Sequence, residues 1–220
     1  MATTDAVIDL YHGDQVFDFG AVRASGIVGV ILKATEGGGF TDPTFGQRVL
    51  AARAAGLLVG AYHFCDGSPI SGQTTNFLRA IAGKGQLLAA IDIEPNGAST
   101  IKVPQAAMLA MQLAANFNGW PVAYTGRYGP DGNGTGYPDP VLSRCPLWVA
   151  AYGPQSAMIR RILTAIGYLP RLPRGWGSYA LWQYTDQGSV PGVRGFVDRS
   201  RFNGTEAELR AWWAQQSRQV

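Results

Sequence analysis

At 220 residues, with 46% hydrophobic and 15% charged side chains, the chain can bury one substantial core, which excludes a mini-protein and a largely disordered chain. Lys and Arg exceed Asp and Glu by 18 to 15, with Arg160-Arg161 as the densest basic spot, so no segment is built for nucleic acid and only a loose attraction to anionic wall polymers or membranes is expected. No run approaches the roughly 20 apolar residues of a membrane span, and residues 1–9 carry neither the basic start nor the apolar stretch of a secretion signal.

Eight short β-branched or apolar runs are predicted strands, at 7–10, 28–34, 58–64, 87–93, 121–125, 147–151, 179–184 and 195–199. After the second, residues 43–55 form a helical pattern opened by Asp42, with Pro43 in its first turn and Gly56 at its end. Helical patterns follow at 71–82 and 104–117, the latter with Met108, Leu109 and Met111 expected on its buried face. Residues 129–140 hold four glycines and three prolines and read as an exposed loop. A further helix is predicted at 157–166, ahead of Pro170 and Pro173, and a last one at 206–214 is expected to pack Leu209, Trp212 and Trp213 on the wall of the fold.

Strand starts lie near 30 residues apart in the middle of the chain but only 16 apart at its end, which leaves no room for a final helix. The predicted fold is therefore α/β, a single TIM-like β/α barrel over residues 6–215 that is irregular in its last third, behind a disordered 1–5. A flat doubly wound sheet is the alternative. Cys65 follows a strand and Cys145 precedes one, so the two thiols are expected at opposite barrel ends, unbridged.

Reacting groups of a β/α barrel sit at the carboxyl ends of its strands. There the sequence places Asp9, Glu36, His63, the pair Asp92 and Glu94, Tyr124, Tyr152, Gln183 and Asp198. Asp92 and Glu94 end an apolar strand two residues apart, and the period of two puts both on one face. Crowded with Asp9 and Asp198 they cannot all ionise freely, and a raised carboxyl pKa is what a general acid needs. Structural roles compete with these: Asp198 as a helix cap or ion-pair member, Glu36 as the partner of Lys33 or an arginine, His63 and His12 as hydrogen-bonded barrel residues. His12 and His63 share no metal-ligand spacing, so neither a metal nor another cofactor is expected. Lys33 fits a counter-ion for the acids better than a Schiff-base lysine. Of the aromatics at the strands, Tyr11, Tyr62, Phe64, Tyr124, Trp148, Tyr152, Trp182 and Tyr184, about a third are expected to face a sugar groove.

The ordered segments Ile8-Asp9 with His12, Ile31-Leu32-Lys33-Ala34-Thr35-Glu36-Gly37, Asp42-Pro43, Ala54-Ala55-Gly56-Leu57, Gly60-Ala61-Tyr62-His63-Phe64, Asp92-Ile93-Glu94, Tyr124-Thr125-Gly126, Leu147-Trp148, Trp182-Gln183-Tyr184 and Val197-Asp198 resemble the glycoside hydrolase family 25 lysozymes, the Chalaropsis-type muramidases. The resemblance covers about residues 6–204 and implies a (β/α)5(β)3 barrel that cleaves the β-1,4 bond between N-acetylmuramic acid and N-acetylglucosamine in peptidoglycan. By the same resemblance Glu94 protonates the leaving oxygen, Asp92 orients the attacking acetamido group of the substrate, and Asp9 and Asp198 line the acidic pocket. Inversion through a water held by Asp9 or Asp198 is the alternative outcome. Glu36, Tyr62, His63, Tyr124, Tyr152, Trp182 and Gln183 form the expected substrate-binding set, in a monomer that reaches the bacterial wall by secretion or as a phage endolysin. The family's first motif commonly runs Asp-x-Ser-x-x-Gln, whereas Asp9 is followed here by Leu10, Tyr11, His12, Gly13 and Asp14. No wall-binding repeat is read after residue 204. A non-catalytic glycan-binding barrel is the competing reading.

Overall fold

The computed structural model describes residues 2–152 and 169–220, so the helix predicted at 157–166 lies outside the described residues. Its strands are β1 (Thr4–Leu10), β2 (Gln15–Val16), β3 (Gly29–Glu36), β4 (Phe40–Thr41), β5 (Leu58–Phe64), β6 (Gln86–Ile93), β7 (Val122–Gly126), β8 (Leu147–Ala150), β9 (Leu181–Gly188), β10 (Val193–Arg194), β11 (Val197–Phe202) and β12 (Ser217–Gln219). The described α-helices are α1 (Phe19–Ala24), α2 (Phe45–Ala54), α3 (Ile70–Ile81), α4 (Val103–Phe117) and α5 (Glu206–Gln216). Strands β1, β3, β5, β6, β7, β8 and β9 run parallel in that order, and β11 closes the ring by pairing antiparallel with both β9 and β1.

All eight predicted strands are present, but the eighth runs the other way. It spans Val197–Phe202, so Asp198 lies near its start and faces Asp9 across the ladder. The reason is length: only residues 189–196 separate β9 from β11, too few for the crossover that a parallel strand requires. The amino terminus also differs from expectation. β1 begins at Thr4, and Asp5 is held by Arg199 at 3.1 Å and by the Tyr184 hydroxyl at 2.6 Å, so residues 4 and 5 are ordered barrel wall.

Buried apolar side chains pack on both faces of the barrel wall. Outward-facing Ile8, Val30, Leu32, Val59 and Ile91 pack under α1 to α4, against Val22, Val49, Phe77 and Leu109. In α4 the buried stripe is Val103, Ala106, Ala110, Leu113 and Phe117, a three-and-four spacing in which the alanines let the helix sit close to the wall. Met108 and Met111, expected there, fall on the opposite side and are 49% and 46% exposed. The apolar set of this helix is wide enough that its period alone does not select the face.

Inward-facing Val7, Ile31, Leu88, Val122, Trp148 and Leu181 fill the lower barrel together with Leu209 and Trp213 of α5. The terminal helix therefore plugs the amino-terminal mouth with Leu209 and Trp213, its two buried residues, while Trp212 is partly exposed against Phe202. Gly29 is required for this fit, since a Cβ there would lie 2.8 Å from the Trp213 ring. With the floor closed, the opposite mouth is left open. Cys65 and Cys145 are buried, unbridged thiols at opposite ends of the wall.

Candidate active site

The open mouth forms a cavity of about 280 Å³ whose lining alternates along each strand as the pleat dictates: Asp9 and Tyr11 from β1 and just past its end, Lys33 from β3, Tyr62 and Phe64 from β5, Asp92 from β6 and Glu94 one residue past its end. Tyr124, Trp148, Tyr152, Gln183 and Asp198 complete the wall. Parity decides membership. His63, one residue from Tyr62, points outward beneath α3, where Thr35 Oγ1 is 2.8 Å from Nδ1 and Gln73 Oε1 is 3.0 Å from Nε2. Trp182, one residue from Gln183, likewise faces outward and donates to Ala151 O at 2.8 Å. The structure thus separates these two from the other expected substrate-binding residues.

Glu36 is a third case. It ends β3 outside the cavity lining and holds Lys33 Nζ at 2.6 Å, while Lys33 itself lies over the Phe64 ring at 4.6 Å from its centroid. Lys33 is thereby a neutralised cation beside the acids, in keeping with a counter-ion. His12 is at the rim and is tied to Asp42, its N donating to Oδ2 at 2.8 Å.

Burial first, then the charges of Glu94 and Asp9, push the Asp92 carboxyl well above the ordinary carboxylate range. Its Oδ1 is buried and without a hydrogen-bond partner, in a residue that belongs to the cavity lining. Asp9 is raised well above its usual value by burial and by Asp198, against the opposing hydrogen bond from Gln183. Burial, with Asp14 and other acids, lifts Asp198 to about 6. Glu94 is raised by burial, and Lys33 opposes the rise. Four carboxyl groups that resist ionisation therefore share one cleft. This is the electrostatic setting for a proton donor at near-neutral pH.

Asp14 is a residue that strand ends do not announce. It lies in the turn after β1, where its Oδ2 accepts from Tyr11 N at 2.8 Å, and Arg48 pins the turn by donating to Tyr11 O at 2.6 Å and Asp14 O at 2.5 Å. The only sequence signal for it is an acid within a short polar turn.

The model for glycosyl hydrolases family 25 matches residues 8–193. The chain belongs to this family. Lysozyme M1 of Streptomyces globisporus is 29% identical to it over 93% of this chain and 69% of that protein. The autolytic lysozyme of Clostridium acetobutylicum is 31% identical over 89% of this chain, which spans 55% of that relative's length. Among solved structures, the bacterial lysozyme from Streptomyces coelicolor superimposes with a TM-score of 0.76 at 25% identity, covering 98% of this chain and 99% of that one. The CTP1L endolysin gives a TM-score of 0.72 at 25% identity, over 98% of this chain and 70% of that one. As a family 25 member the chain is a glycoside hydrolase of the lysozyme type, and its acidic cleft occupies the open mouth of the family's barrel.

Proposed function

We propose that this family 25 barrel hydrolyses the β-1,4 bond between N-acetylmuramic acid and N-acetylglucosamine in peptidoglycan, and so acts on the bacterial cell wall. The observation that carries this reading is the meeting of Asp9, Asp92, Glu94 and Asp198 in one cavity, each held above its ordinary carboxylate range. Glu94, the more accessible of the β6 pair, donates its proton to the glycosidic oxygen as the C1–O bond breaks. The carbonyl oxygen of the substrate's own acetamido group bonds to C1, and the Asp92 carboxyl, part of the cavity lining, accepts its N–H. Water then opens the cyclic intermediate, giving up a proton to the Glu94 carboxylate and returning the acetamido group.

Assistance by the substrate suits the geometry. Asp92 and Glu94 leave one strand edge on one face, so they do not flank a sugar from opposite sides as a two-carboxylate displacement requires. Tyr62, Tyr124 and Tyr152 supply ring surface to the cleft, and Asp9 with Asp198 keeps it acidic.

The deciding experiment is digestion of purified walls followed by mass analysis of the fragments. New reducing N-acetylmuramic acid ends are the expected product, and intact walls or cuts confined to peptide stems defeat the reading. Glu94→Gln is expected to fold normally and lose about 10²–10⁴-fold in rate. Proton NMR of the first-formed anomer separates the routes: retained β configuration accords with assistance, and inversion transfers the water-activating role to Asp9 or Asp198.

A further inference from the structure

Gln183 is 2% exposed and occupies the middle of the cleft wall on β9. Its Oε1 accepts from the Tyr124 hydroxyl at 2.6 Å and from the Tyr152 hydroxyl at 2.8 Å, which uses both lone pairs of that oxygen. Its Nε2 stands 3.0 Å from each carboxyl oxygen of Asp9. A flipped amide would set oxygen against the Asp9 carboxylate, acceptor against acceptor, so the two hydroxyls and the carboxylate agree on one orientation. Side chains from β7, from the end of β8, from β9 and from β1 thus converge in one chain of hydrogen bonds. Both lone pairs of the amide oxygen are used, and the two Asp9 oxygens share one N–H of the amide nitrogen.

We propose that Gln183 is a positioning residue: its amide, locked by Tyr124 and Tyr152, aims the Asp9 carboxyl into the cleft and favours its ionisation against the surrounding acids. This rests on the reading of the cleft as a muramidase site. The groups that face Asp9 from other elements are Asp198 on β11, Asp92 and Glu94 on β6, Asp14 in the turn after β1, Tyr62 on β5 and Lys33 on β3. The acids among them disfavour a further negative charge, and Lys33 is already paired with Glu36. The Gln183 amide is the neutral donor that works against them.

The test follows Asp9 by carbon-13 carboxyl NMR titration and hydrolysis by the pH profile of kcat/KM on soluble peptidoglycan fragments. In Gln183→Leu, Asp9 is expected to take up its proton about one to two pH units higher, the equivalent of one hydrogen bond to a charged group, and the acid limb of kcat/KM moves with it. Gln183→Glu keeps the acceptor for both tyrosines, adds a negative neighbour and shifts both further in the same direction. Its near-identical shape makes it the variant of record if the leucine form does not fold. The Tyr124→Phe/Tyr152→Phe double variant unlocks the amide and gives a smaller shift of the same sign. An Asp9 titration that does not move in either Gln183 variant, or an acid limb that stays in place while Asp9 moves, overturns the proposal. If the wild type releases no reducing ends at any pH, the muramidase reading fails, and the NMR titration alone decides the role of Gln183.

Discussion

Asp92 is buried, negatively disposed and short of a partner for Oδ1, a combination that a protein selected only for stability would not retain. Because its folded-state pKa is raised, the folded chain binds a proton more tightly than the unfolded chain, and ionisation at neutral pH costs stability. Asp92→Asn removes that charge at nearly constant shape. It is expected to raise the unfolding free energy at pH 7 by about 1–2 kcal/mol while abolishing hydrolysis, and thermal melts beside a wall-lysis assay check both. An unchanged or lower Tm would mean that Asp92 is not held charged against its surroundings. At this scale the sequence made the acids legible, since Asp9, Asp92 and Glu94 lie at the carboxyl ends of parallel strands with Asp92 and Glu94 sharing a parity, and Asp198 reaches the same height because its strand runs the other way. His63 and Trp182 were misleading for the same reason. A strand end marks a height in the barrel, and one residue of register separates the cleft from the outer layer.

Helix α5 shows how an element can be legible in type and obscure in placement. Its capping box, Thr205 with Glu208, and its Leu209–Trp212–Trp213 cluster announce a packed helix, yet nothing local tells the wall from the floor of a barrel. The plug geometry separates the two tryptophans. Trp213 is 2% exposed inside the lower core and donates to Val59 O at 3.4 Å, whereas Trp212 is partly exposed and meets Phe202 and the Trp213 ring from outside. Trp213→Ala is expected to destabilise by about 3–5 kcal/mol and Trp212→Ala by about 1 kcal/mol, as read from urea unfolding midpoints; equal losses would indicate that both lie on the wall. The same limit applies to β11. The run read at 195–199 overlaps only its first three residues, and its direction follows from the length of the preceding loop. The two- and three-residue strands β2, β4, β10 and β12 are too short to carry any period.

The architecture as a whole was legible because spacing between apolar runs is a global property, and closure follows once β1 pairs both β3 and β11. What spacing does not carry is the electrostatic balance of the assembled barrel, and that balance sets its response to pH. Two opposed contributions meet below neutrality. Burial holds His63 down to about 4, so the unfolded chain binds more protons than the folded one between pH 4 and 6.5, and stability from this group is lost as pH falls through that window. The raised carboxyls of Asp9, Asp92, Glu94 and Asp198 act the other way. Their contribution is complete at pH below their unfolded values and is lost as pH rises through the folded ones, which for Asp198 is about 6. Asp42, Asp131 and Glu208 are lowered and act only in more acidic solution. Between pH 4 and 6 Asp198 and His63 therefore oppose each other, the first lowering and the second raising stability as pH rises. Asp198→Asn removes the first contribution and is expected to make Tm climb more steeply with pH across this window than in the wild type. Differential scanning calorimetry from pH 4 to 6.5 decides it, and an unchanged slope would show that Asp198 ionises in the folded chain as freely as in the unfolded one.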